Sequence, residues 1–149
     1  MLGQCEIVGL IHYSDLNDPV VKLPYFLLLE GLERKIADSI RRLVNKDVLP
    51  VIITDPQRLA KIEEKMSALQ SNAADRDFLT LLYFREILEA ACRLNKLQLR
   101  TLEIEDLSVL RNRVAHAATD ELVESHEDVR RLSRVQRICM SLLFESKPP

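Results

Sequence analysis

Arg111-Asn112-Arg113-Val114-Ala115-His116 brings three kinds of chemistry into one short stretch. An arginine keeps its charge at any ordinary pH and offers a planar fork of donors that fits a phosphate. A histidine exchanges protons near neutrality. An asparagine beside them can orient either one through its amide. Cutting RNA without a metal needs these functions together. A base takes the proton from the 2′-OH, an acid protonates the leaving oxygen, and a cation stabilises the crowded phosphate. Arg111 suits the phosphate, His116 the proton transfer and Asn112 the orientation. Their spacing sets a condition. On a straight helix five residues turn through about 500°, which leaves Arg111 and His116 about 140° apart, while Asn112 and His116 share a face. The pair converges if the helix ends before His116, if the long arginine curls round, or if two copies face each other across a two-fold axis.

The motif follows an apolar-periodic segment and precedes a capped one. In that setting it resembles the motif of the HEPN family of small helical domains. Nuclease members of that family carry an Arg, a polar residue directly after it, and a His four to six residues on. The resemblance implies a homodimer in which Arg111, Asn112 and His116 cut RNA without a metal or cofactor. It implies a setting in defence, stress response or a toxin–antitoxin pair. It also implies a supporting polar or acidic residue in the first long helix, for which Glu33 stands in the right region. Some toxin members carry a Tyr two residues after the motif His, as the target of a nucleotide-transferring antitoxin. Here that position is Ala118, a departure that argues against that mode of control. The alternative is a non-catalytic dimerisation module that binds a nucleotide or a partner protein. Arg111 would then pair with Glu105 or Asp106, and His116 would be a plain helix-end residue complementing the dipole.

Net charge is −2, so no general affinity for nucleic acid is expected and any RNA site must rest on a local basic patch. Arg130, Arg134 and Arg137 share one face of the last helical segment, and with Arg111 and Arg113 they make a candidate RNA-binding strip. A solvated charged face is the plainer reading of the same residues. Only three glycines occur, at Gly3, Gly9 and Gly31, so no Gly-rich loop is present to cradle a phosphate. Cys5, Cys92 and Cys139 have no paired spacing, which argues against zinc or a disulfide framework and for a reducing, cytoplasmic setting. No Asp, Glu and His cluster has metal-ligand spacing. The longest apolar run, around Pro24 to Leu32, is broken by Glu30 and is too short to span a bilayer. The first residues lack the basic start of a signal peptide.

The elements that must position the motif read as an all-α, up-and-down bundle of four to five helices with a short β-like segment in front. Residues 1–17 form an arm. Glu6 to Tyr13 is β-branched and apolar, as in a strand. With Ser14 and Asp15, Gly9-Leu10-Ile11 resembles the closing piece of a CBS domain, with His12 where a Thr would stand. Residues 18–149 form the bundle. Asp18-Pro19 is a helix start, and Pro24 argues for a kink or a later start. Leu28, Leu29, Leu32, Ile36, Ile40 and Leu43 make an amphipathic stripe. Asn45 to Val51 interrupts it, with Pro50 as breaker. A second helix restarts at Thr54-Asp55-Pro56, with Leu59, Ile62, Met66 and Leu69 inward. The third runs from about Asp77 to Leu94. It is apolar on most of its surface, so it should be the most buried and should call for a second subunit. A fourth helix runs from Glu103 to about His116, and a fifth follows a capping box at Ser125 to Asp128.

Overall fold

The computed structural model describes residues 12–69, 77–116 and 120–144, and among them the chain is all-α, with no strand. Most of the expected Glu6–Tyr13 strand, including Gly9-Leu10-Ile11, lies outside the described residues. Tyr13 itself opens a 3₁₀ helix, Tyr13–Asn17, which packs on the first long helix.

α1 spans Pro19–Ile40. Asp18 caps it, accepting the Val20 N–H at 2.8 Å, and Pro19 fills a position whose N–H would have no helical partner. Of the two expectations for Pro24, a kink or a later start, the later start does not hold: the helix begins at Pro19 and Pro24 lies inside it. Pro24 removes only the bond to the Val20 carbonyl, and Val20 is 77% exposed, so water can satisfy that oxygen. Leu29, Leu32, Ile36 and Ile40 are buried, each worth about 1.5–3 kcal/mol. Leu43 is exposed and Val44 takes the inward place, because the helix has already ended. Pro50 opens a helix instead of breaking one, within the single turn α2, Leu49–Ile52. α3 spans Pro56–Leu69, with Ile62 and Met66 inward.

The expected helix from Asp77 to Leu94 is two elements. Asp77 accepts the Leu79 N–H and starts a 3₁₀ helix, Phe78–Leu81. Leu82 and Tyr83 are then extended. Glu86 reaches back to accept the Tyr83 N–H at 2.7 Å and starts α4, Phe84–Arg93. Two competing start signals divide the apolar run. Just beyond α4 and its cap Leu94, Asn95 has a φ of 55°, in the left-handed region that asparagine tolerates. Half of its ten residues are buried, but Arg85 and Arg93 face out, so α4 is amphipathic and by itself calls for no second subunit.

α5 spans Thr101–Ala115, two residues earlier at its start than expected, since Glu103 accepts the Arg100 N–H at 2.8 Å. α6 spans His126–Phe144. Its capping box forms as read: Ser125 and Asp128 exchange bonds, with the Ser125 N–H donating to Asp128 Oδ2 at 3.1 Å and the Asp128 N–H to Ser125 Oγ at 3.3 Å. α1 packs against α4, α5 and α6, and α5 packs against α4 and α6. The two helices that carry the candidate site, α1 and α5, are thus the centre of the bundle.

Candidate functional site

α5 ends where the motif ends. His116 is its C-cap, with φ −101° and ψ 39°. Its N–H still donates to the Asn112 carbonyl at 3.0 Å, and its carbonyl accepts the Asp120 N–H at 2.9 Å. The residue is exposed. The segment beyond it is tied to the start of α1. Lys22, 5% exposed, donates through Nζ to the Asp120 carbonyl at 2.8 Å. Asn17 and Val123 exchange two hydrogen bonds, both 2.8 Å. Leu122 and Val123 are buried.

Arg111 faces α1, with Nε 3.5 Å from Glu33 Oε2. Its side chain is 39% exposed and that of Glu33 27%. Glu105 and Asp106, the partners that the non-catalytic alternative gave Arg111, are engaged elsewhere. Glu105 binds Arg85 at 2.9 Å, and Asp106 binds Arg131 and Arg134. Glu33, Tyr83, Glu105, Ser108, Arg111 and Asn112 line a cleft of about 360 Å³ between α1, α5 and the start of α4. His116 is not among its lining residues. One chain therefore brings Glu33, Arg111 and Asn112 together and leaves His116 at the helix end beside them.

The arginine strip divides. Arg113 turns the other way, 3.0 Å from Asp128 and donating to the Leu122 carbonyl at 3.1 Å. Arg134 is held by Asp106 at 2.8 Å and Glu127 at 3.0 Å, which keeps its guanidinium firmly charged and directed at carboxylates. Arg130 is 78% exposed, 3.7 Å from Glu127. Arg137 is exposed, with no ion pair among the described residues, and shares a groove of about 400 Å³ with Arg100 and Arg134.

Beneath the strip lies a network that the sequence reading missed. Asp106, 2% exposed, accepts from Arg131 Nε at 2.9 Å and Arg134 Nε at 2.8 Å. Asp128, 6% exposed, accepts from Arg131 Nη1 at 2.6 Å and from the Glu124 and Ser125 N–H groups at 3.1 Å. Burial pushes both carboxyls up. The bonds from Arg134 and Arg131, and from Glu124, Ser125 and Arg113, outweigh it, so both sit below the ordinary carboxylate value. The signal was present: Asp106, Leu110 and Val114 follow at four-residue spacing on the buried face of α5. Tyr83 was also missed. Among the described residues no group of three or more His, Cys, Asp or Glu is placed to hold a metal ion, and no helix is long and apolar enough to cross a membrane.

Set against family models, curated proteins and solved structures, the chain matches none.

Proposed function

We propose that the chain is a HEPN-type, metal-independent endoribonuclease that works as a homodimer. The observation that carries the reading is the junction of Arg111 and Asn112 in one cleft with a helix that ends at exposed His116. Arg111 binds the scissile phosphate, leaving its 3.5 Å partner Glu33 for a stronger, bidentate anion. His116 transfers the proton and Asn112 holds the attacking 2′-OH or the imidazole in place. Because His116 lies off the cleft of its own chain, a partner's copy of the motif supplies the convergence that one helix cannot. Arg130 and Arg137, the more open members of the strip, guide the RNA backbone. The setting is cytoplasmic, in defence, stress response or a toxin–antitoxin pair with a protein antitoxin.

The test is a gel assay on mixed single-stranded RNAs with EDTA present. Cleavage should persist, and the products should carry 2′,3′-cyclic phosphate ends if the 2′-OH is the nucleophile. A dimeric chain that cuts nothing would move the reading to the second one, a non-catalytic dimerisation module. That reading draws on the carboxylates already occupying Arg111, Arg113 and Arg134.

Support for a second subunit comes from α1. Val20, Leu23 and Leu27 are 77%, 54% and 57% exposed at helical spacing, beside Phe26 at 39%. Contiguous exposed apolar surface of this kind marks an interaction face. Sedimentation at micromolar concentration should give a dimer, with an interface above about 1,000 Å² in total. Leu23→Glu with Leu27→Glu should give a folded monomer without cleavage. A clean monomer in the parent chain would sink the shared-site mechanism.

A further inference from the structure

Tyr83 is an aromatic ring placed where the fold has no need of one. It is 65% exposed, although its neighbours Leu82 and Phe84 are buried at 7% and 5%. Its ring stacks on a guanidinium: Arg58 Cζ lies 4.1 Å from the ring centroid. Arg58 is itself pinned. It donates to both Glu86 oxygens, at 2.7 and 2.9 Å, and to the Leu81 carbonyl at 2.7 Å, and its side chain is 13% exposed. The backbone of Tyr83 is fixed as well, by its N–H bond to Glu86. Arg58 thus lies over one face of the ring, and with the residue 65% exposed much of its surface is open to solvent. Tyr83 lines the same cleft as Arg111 and Asn112.

We propose that Tyr83 is a stacking platform for an unpaired nucleobase, so that the cleft takes single-stranded RNA with one base on Tyr83 and the neighbouring phosphate on Arg111. The inference rests on the ribonuclease reading and deepens it by naming the residue that holds a base of the substrate. A ring backed by a pinned guanidinium is already ordered, so it gives up little further side-chain freedom when a base stacks on it. Every base has a π-face, so such a platform tolerates sequence but needs the base unpaired. A base inside an A-form duplex is stacked on its neighbours and presents no free face.

The probe is a labelled single-stranded 2′-O-methyl oligoribonucleotide, which lacks the nucleophile and cannot be cut by 2′-OH attack. Its Kd is read by fluorescence anisotropy for the parent chain, Tyr83→Ala and Tyr83→Phe. Tyr83→Ala should weaken binding on the order of 5- to 150-fold, while Tyr83→Phe, which keeps the ring, binds as the parent does. A duplex of the same sequence should bind equally to all three. Equal single-strand affinity for the parent and Tyr83→Ala overturns the inference, as does an equal loss in Ala and Phe, or no binding at all. Cleavage by the parent with Tyr83-independent binding sinks the platform and spares the nuclease. Tyr83-dependent binding without cleavage sinks the nuclease and leaves the platform standing.

Discussion

His116→Ala should slow RNA cleavage on the order of 10²–10⁴-fold, the usual contribution of a positioned proton-transfer group. Arg111→Ala should slow it on the order of 10²–10³-fold, by analogy with the loss of one donor that stabilises transition-state charge. Both variants should remain folded and dimeric. His116 is exposed at the end of α5, and Arg111 contributes an ion pair whose members are 39% and 27% exposed. Exposed pairs of that kind are worth little to stability. Arg111→Lys keeps the charge but loses the fork, so it should recover only part of the rate. The measurement is the EDTA gel assay run on parent and variants at matched concentration. Equal cleavage by all of them would assign the activity to a contaminant.

Asp106→Ala should destabilise the chain by about 2–3 kcal/mol. Removing one partner of a buried ion pair costs about 3–5 kcal/mol when the other charge is stranded. Here Arg131 and Arg134 keep side-chain exposures of 23% and 30%, so water can reach them and the cost falls. The thermal midpoint should drop by about 5–12 °C. pH sharpens the test. Asp106 and Asp128 both sit below the ordinary carboxylate value in the folded chain. Their contribution is therefore fully present above the unfolded value near about pH 4 and is lost as pH falls through the folded values. The parent's urea midpoint should fall on acidification below about pH 4, and Asp106→Asn should flatten that fall. A midpoint unchanged in Asp106→Ala at neutral pH would mean that the network is replaceable by solvent.

What the sequence disclosed follows from how local each signal is. Asp18, Ser125 and Asp128 announced their helix starts because a cap is made within four residues. The stripe from Leu29 to Ile40 was legible because periodicity reports burial directly. The division at Leu82 and Tyr83 was not, since both halves of the run are apolar and only the cap bonds of Asp77 and Glu86 separate them. Of the candidate site, the motif itself was visible, Glu33 was indicated only through the family resemblance, and Tyr83 was not indicated at all. Arg111 meets Glu33, Arg134 meets Asp106 and Arg58 meets Tyr83 across long stretches of chain, and no spacing rule reaches that far.

The tie between Asn17 and Val123 joins residues 106 positions apart, and Lys22 reaches Asp120 across 98. In a bundle built mostly of short connections these are the slowest contacts to find, because loop closure must precede their gain. On the ribosome, α1 waits with its apolar face uncovered until α4, α5 and α6 have emerged. Asp120 and Val123 are tied down only when they meet Lys22 and Asn17, made 98 and 106 positions earlier. If the proposed activity depends on that settled helix end, it begins only after this late tie has been made, and not while α1 and α5 are emerging.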